Sequence, residues 1–437
     1  MKTPIVDFVK RYAEMETLRL HMPGHKGENL TGFEKYDITE INGADSLYDA
    51  VGIIRESEEN ASRLFGCNTF YSTEGSSLCI RAMLYLAIAG KENPTILAGR
   101  NAHKTFITAS ALLGFDIEWL YSDDNYLSCY ITPKDVENAI NNAENKPSAV
   151  YVTSPDYLGN MLDIKGISKV CKKYGVLLLV DNAHGAYLKF LTPSLHPIDM
   201  GADMCCDSAH KTLPALTGGA YLHISESADG YFKVCAKEAL SLFGSTSPSY
   251  LILQSLDFVN KYLSEGYEKK LSEYVKKLSE LKKILLENGY SLLGNEPLKI
   301  TLDTKKYGYK GTELAKLLES QKLYPEFADN DFLVLMFTPE ISDLERVKNV
   351  LCSLQKKAEI KEGIPVFEKP SEVISVRNAM LSRKVLLPIE KAENRILASP
   401  SVGCPPAVPI AVCGERITRN VINAFEYYGI EKCFVIE

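Results

Sequence analysis

SAVYVTS (148–154), VLLLVD (176–181) and ADMCCDS (202–208) are three short, nearly uninterrupted apolar runs, and their spacing decides how this chain folds. Such a run, too short for a helix and lacking polar alternation, belongs to a strand covered on both faces. Outward from these, TILAGR (95–100) precedes them and GAYLHI (219–224) follows. Before and between the runs, residues 76–89, 133–143 and 164–174 have the length and periodicity of crossover helices. The second is announced by Thr132 as N-cap and Pro133 in the first turn. Strands alternating with such helices predict a parallel sheet in an α/β domain.

Beyond Pro248 the pattern changes. Leu271, Tyr274, Val275, Leu278, Leu281 and Leu285 share one face of a Lys/Glu-rich helix that Gly289 can close. Residues 290–355 then supply strand-like SLLGN, LKITLD and FLVLMF with a helix near 314–320, while KEGIPVFEKP (361–370) has the composition of a linker. The expected organisation is an N-terminal segment (1–35), a large domain (36–265), a small α+β domain (266–358) and a C-terminal domain (359–437).

The 49 Lys+Arg against 56 Asp+Glu give a net charge of −7 without any long basic run, so no nucleic-acid partner is expected. The N-terminus lacks an uninterrupted apolar core and no stretch of 18 apolar residues exists, so neither a secretion signal nor a membrane span is expected, and the location should be cytoplasmic. The 11 cysteines are scattered without a C-x-x-C pair. Cys205 and Cys206 read as core thiols, and neither a disulfide framework nor a metal site is expected.

Phosphate loops of the Walker and dinucleotide types, H-E-x-x-H and G-x-S-x-G are all absent. Polar residues instead sit where strands should end, which is where an open α/β sheet exposes ligand sites. Asp181 closes VLLLVD, and Ser208-Ala209-His210-Lys211 follows a second strand. A lysine after one buried strand and an acid at the end of another fit a Schiff-base lysine with a partner for a pyridinium nitrogen. Taken alone, this spacing is a weak signal, and a surface lysine with a strand-terminal aspartate accounts for most such pairs. Gly75-Ser76-Ser77 opens a predicted helix and offers either a phosphate cradle or an ordinary capped start.

Several stretches, in order, go beyond spacing: RLHMPGHKG (19–27), DITEINGADSLYDAVGII (37–54), FYSTEGSS (70–77), RNAHKTF (100–106), VTSPDYLGNMLDI (152–164), VDNAHGAY (180–187), DSAHKTLPALTGGA (207–220) and STSPSY (245–250). Together they resemble the ornithine/lysine/arginine decarboxylase family of pyridoxal-phosphate (PLP) enzymes with the type I, aspartate-aminotransferase-like fold. The resemblance is to the short form, without the extra N-terminal domain of the large acid-stress members. It implies a mostly parallel PLP-binding large domain with smaller α+β domains after it. It also implies α-decarboxylation of a basic amino acid to a polyamine-type amine and CO2.

Carried onto this sequence, the resemblance implies that Lys211 holds PLP and that Asp181 keeps the ring nitrogen protonated. His103 would stack on the ring, Gly75, Ser76, Ser77 and Ser208 would bind the phosphate, and Ala183 would line the cofactor. Thr246 would reach the phosphate of a neighbouring subunit, which makes a homodimer the minimum unit. Lys211 or His210 would return a proton to Cα, and His184 would lie on the substrate side. Glu326, with Asp329 as its alternative, would meet the distal cation of the substrate. Arginine is a slight favourite over lysine and ornithine.

Two departures stand out. Glu74 replaces the family's usual Asn beside a dianionic ligand, and CPPAVPI (404–410) replaces Y-P-P-G-I-P. Transamination, with Arg395 gripping the α-carboxylate, and a non-catalytic regulatory homologue are the alternative readings.

Overall fold

The computed structural model describes residues 1–121, 126, 128–402 and 408–437. The chain starts with helices α1 (Pro4–Glu14) and α2 (Ile53–Phe65), strand β1 (Asn68–Ser72), α3 (Gly75–Ile88), β2 (Thr95–Gly99), α4 (Lys104–Leu113) and β3 (Asp116–Leu120). Next come α5 (Pro133–Asn142), β4 (Ala149–Thr153), α6 (Ile164–Tyr174), β5 (Leu177–Asp181), β6 (Met204–Asp207), the one-turn α7 (Ala209–Thr212) and β7 (Ala220–Ile224). Helices α8 (Gly230–Ser241), α9 (Tyr250–Ser264) and α10 (Tyr267–Glu287) lead to β8 (Leu292–Leu293), β9 (Lys299–Asp303), α11 (Gly311–Ser320), β10 (Phe327–Ala328), β11 (Phe332–Met336) and α12 (Leu344–Ser353). The C-terminal part includes α13 (Val376–Leu381), β12 (Lys384–Pro388), α14 (Arg419–Tyr427) and β13 (Lys432–Ile436).

The chain forms two compact units, one of residues 1–91 with 171–270 and one of residues 92–170 with 271–437. In the first, the strand order is β1-β7-β6-β5. Strands β5 and β6 run parallel with Asp181 beside Cys206, whereas β7 is antiparallel to both β6 and β1. The apolar run 219–224 is therefore a strand, as expected, but a reversed one. Only one-turn α7 and a glycine-containing loop separate it from β6, with no crossover helix to bring the chain back to the starting end. Phe65 fills the core behind β7, its ring 5.3 Å from that of Tyr221 and 4.5 Å from that of His223.

Helix α1 is tied to this unit by a buried carboxylate. Asp257 of α9 accepts the backbone N–H groups of Ile5 and Val6 and the hydroxyl of Ser57, at 2.9, 3.0 and 2.6 Å. Burial nevertheless dominates and pushes this carboxyl up from 3.8 to about 6, against those hydrogen bonds. Because the folded value is raised, the stability linked to the proton is fully present below about pH 4 and is lost as pH rises through 6. The loss from this group can reach about 3 kcal/mol. Asp257→Asn should keep the acceptor and remove the loss, so its stability relative to the parent should improve between pH 4 and pH 7. Parallel pH profiles for the two proteins would refute this.

In the second unit, β4-β2-β3 is parallel throughout, with Ile96 of β2 beside Ala149 of β4 and Ile117 of β3. The expected start of α5 carries a full capping box, in which Thr132 and Asp135 satisfy each other's backbone N–H. An antiparallel sheet in the order β10-β11-β9-β8 follows, with α11 packed on β10 and β11, and β12 pairs with β13 farther on. The mostly parallel α/β layer read from the apolar runs is thus present, with smaller α+β parts after it. Among the described residues no helix is long and apolar enough to cross a membrane.

Candidate active site

Parallel strands deliver their following loops to the same end of a sheet, so the residues after β5 and β6 meet. Asp181 is the last residue of β5 and is buried. Its Oδ1 accepts the N–H of Ala183 at 3.2 Å and the thiol of Cys206 at 3.7 Å. Lys211, in α7 beyond β6, brings its Nζ within 3.1 Å of Nε2 of His184, three residues after Asp181. His210 donates from Nδ1 to the carbonyl of Gly219 at 2.9 Å, because a carbonyl only accepts. That leaves Nε2 outside this hydrogen bond.

The turn from β1 into α3 supplies the third part. Gly75 adopts φ +71°, and its N–H donates to Gly218 at 2.7 Å. Gly218 must be glycine here, since a Cβ would come within 2.8 Å of the Thr73 carbonyl. A Cβ at Gly75 would meet nothing within 4 Å, so the start of α3 opens on free space. Ser208 donates to the hydroxyl of Ser76 at 2.9 Å at this helix start, whose first-turn N–H groups have no partners within the helix. Ser77 follows in the same turn. Glu74, the departure expected to disturb an anion, accepts the backbone N–H of Ser245 at 2.5 Å. Its charge is thereby tied to the 245–250 segment, on which Thr246 is exposed.

The remaining expected site residues belong to the second unit. His103 is exposed and caps α4 through Nδ1, which accepts from the Thr105 N–H. Glu326 is exposed and accepts the hydroxyl of Tyr157 at 2.7 Å. Burial first, then the bond to Glu326, raises the Tyr157 phenol well above its ordinary value, so it stays a donor. Glu326 also borders a mainly apolar cavity of about 250 Å³ lined by Leu318, Leu323, Leu335 and Phe337. Asp329 instead caps its own turn, with Oδ1 accepting the N–H groups of Asp331 and Phe332 at 2.7 Å each. Arg395 donates to the carbonyl of Ile436. Of CPPAVPI, residues 404–407 lie outside the described residues.

Sequence reasoning missed two arrangements. Tyr157 stood in a quoted motif, but its partner is 169 residues away, beyond any local signal. The buried cluster of His196, Asp207 and His223 draws on three separate segments. Asp207 stood at a strand end and at the head of a quoted motif without a role there, and His196, in SLHPID (194–199), carries no periodic signal. The ten described cysteines are free thiols, and burial raises those of Cys205 and Cys206 far above the ordinary value.

Chemically, the first unit combines a nucleophilic amine beside an imidazole, a buried carboxylate, and a helix start rich in hydroxyls and N–H groups. This set suits a ligand bearing a carbonyl, a protonated ring nitrogen and a phosphate.

A family model described as Orn/Lys/Arg decarboxylase, major domain, matches residues 3–301. An uncharacterized protein, YaaO, of Bacillus subtilis (strain 168) is 29% identical over 97% of this chain and 93% of its own. An arginine decarboxylase from the same organism is 28% identical over 97% of this chain and 92% of its own. The crystal structure of the Francisella novicida lysine decarboxylase LdcF superposes with a TM-score of 0.83 at 17% identity, covering 100% of this chain and 81% of that one. At that identity the match establishes the fold.

Proposed function

Since the chain belongs to the Orn/Lys/Arg decarboxylase family, we propose that it is a PLP-dependent enzyme that removes the α-carboxylate of a basic amino acid, leaving the corresponding amine and CO2. The observation that carries the reading is the convergence of Lys211, His184, Asp181 and the Ser76–Ser208 pair on one end of the sheet. These residues fit PLP by their chemistry: Ser76, Ser77, Ser208 and the start of α3 for the phosphate, Asp181 for the ring nitrogen, Ala183 beside it, and Lys211 for the aldehyde carbon. His103 is assigned to the ring face and Thr246 to the phosphate of a partner subunit. When bound, PLP supplies the electron sink for the pair left as the bond to the carboxylate breaks.

This chain's own groups manage charge and protons. Asp181, buried at 3% exposure, is an acceptor for a ring N–H that water does not compete for. His184 Nε2 lies 3.1 Å from Lys211 Nζ, within hydrogen-bond reach for passing a proton to or from the amine. His210, fixed by its Nδ1–H on Gly219, presents Nε2 as the second proton carrier for Cα. The paired cation of a basic substrate needs a carboxylate, and Glu326, oriented by Tyr157, is assigned to it.

The test is CO2 release from arginine, lysine and ornithine by the PLP-loaded protein, with arginine ranked first because relatives with that printed activity cover nearly the whole chain. No CO2 from any of the three would end this reading. Glu326→Gln should lower kcat/KM for the preferred amino acid about tenfold or more, mainly through KM. Tyr157→Phe should act in the same direction but less. Unchanged kinetics in both variants would take the cation-binding role away from Glu326.

A further inference from the structure

Asp207 of β6, His223 of β7 and His196 of the segment before β6 are each completely buried, at 0% exposure, in the first unit. In β6 the side chains of Cys205 and Asp207 share a face, and His223 of β7 lies opposite Cys205, with Thr69 of β1 opposite His223 in turn. Oδ2 of Asp207 receives His196 Nε2 at 3.0 Å and His223 Nε2 at 3.2 Å, and Oδ1 receives the amide of Asn182 at 2.7 Å. Burial alone would raise this carboxyl, yet the two imidazoles and their hydrogen bonds hold it far below the usual carboxylate range. Burial likewise lowers His223, but the negative charge of Asp207 outweighs it and leaves His223 raised. An ionised carboxylate has no proton to give, so both Nε2 atoms and Asn182 Nδ2 must donate. On its other side His223 Nδ1 meets Thr69 Oγ1 at 2.9 Å and Cys67 Sγ at 3.6 Å.

Position gives this network its meaning. Asn182 stands between Asp181 and Ala183, and Asp207 immediately precedes Ser208, with Lys211 one turn later. The side-chain bond from Asn182 to Asp207 therefore ties the β5 end that carries Asp181 and His184 to the β6 end that carries Ser208 and Lys211. One backbone bond, Asn182 N–H to Cys206 at 3.0 Å, is its neighbour. Each backbone ladder bond is common to any parallel pair, whereas a fully buried carboxylate receiving three N–H groups sets the register of these two ends and resists shear, because shifting it strands a charge. A slip of about 1 Å between groups that must act on one ligand costs about a hundredfold in function.

We propose that Asp207, with His196 and His223 behind it and Asn182 in front, is a positioning residue that holds the cofactor-binding ends of β5 and β6 in register. The inference rests on the PLP reading above. The three groups are also spaced as metal ligands could be, but both oxygens of Asp207 already receive N–H donors.

Asn182→Asp places two carboxylates against each other where an amide met a carboxylate. The double variant Asn182→Asp/Asp207→Asn reverses donor and acceptor and restores the bond, with the amide oxygen introduced at position 207 still accepting from both histidines. Apo proteins titrated with PLP should show the single variant binding about tenfold more weakly or worse, with a shifted visible band for the bound cofactor, and the double variant within about threefold of the parent. Thermal melting of the apo proteins separates this from loss of fold. Should Asn182→Asp not fold, Asn182→Ala removes the donor without adding charge and must show the same weakening and band shift. Parent-like PLP affinity and spectrum in the single variant, failure of the swap to rescue, or a stoichiometric metal ion in the purified parent would each overturn the inference. A parent protein that takes up no PLP would overturn the functional reading itself, and this inference with it.

Discussion

Lys211→Ala is expected to abolish CO2 release, by on the order of 10³-fold or more, because it removes the amine that we propose anchors the cofactor, whose Nζ lies 3.1 Å from His184 Nε2. Borohydride treatment of the loaded parent should fix the cofactor covalently on a peptide containing Lys211, and the variant should incorporate none. Melting of the apo variant should stay close to that of the parent, since Lys211 is not part of the buried core. Label on a different lysine, or turnover surviving the substitution, would remove Lys211 from its assigned role. The same variant also tests assembly. If Thr246 completes the partner subunit's site, mixing Lys211→Ala with Thr246→Ala protein should recover part of the activity through hybrid dimers with one intact site. Additive, unrecovered activities would argue for sites complete within one chain.

The second large effect concerns stability. Arg100, one residue past β2, and Glu415 form a bidentate pair at 2.7 and 2.8 Å, with side-chain exposures of 1% and 4%. Glu415 also accepts the N–H of Val412, so the pair fastens the chain after β12 to the β2–α4 connection that carries His103. Burying both charges is costly, but removing one leaves the other buried without compensation. Arg100→Ala is therefore expected to cost about 3–5 kcal/mol, whereas Arg100→Met with Glu415→Leu should regain most of that loss by replacing the pair with apolar volume. Trp119, the only tryptophan, lies 5.0 Å from the guanidinium by its ring centroid, so its fluorescence in urea reports this unit directly. A single variant whose Trp119 transition stays at the parental urea concentration would show that the pair carries no such weight.

Elements buried on both faces were legible in the sequence because their apolar runs are continuous: β4, β5 and β6 lie within the quoted stretches, with the capped start of α5 shortly before the first. Strands β1 and β3 were not read. NTFYS is short and polar, and DIEWL alternates exposed and half-covered positions at a sheet edge, so neither stands out from a loop by composition. The reversal of β7 was equally hidden, since an apolar run has no direction and only the missing crossover helix decides it.

The site divides in the same way. Asp181 and Lys211 could be picked out from their places after buried strands, because strand ends in an α/β sheet are exposed as a consequence of the topology. Their relation to His184, the bond between Ser76 and Ser208 across 132 residues, and the joining of Arg100 to Glu415 across 315 depend on where the chain returns in space. So does the meeting of His196 and His223 on Asp207, the group that ties Asn182 to the same cluster. The sequence alone determined the alternation of strand and helix and the residue types at the strand ends, since burial and periodicity act within a few residues. Only the tertiary structure decided which charges face one another, because the attraction that pairs them acts across space and leaves no periodic trace along the chain.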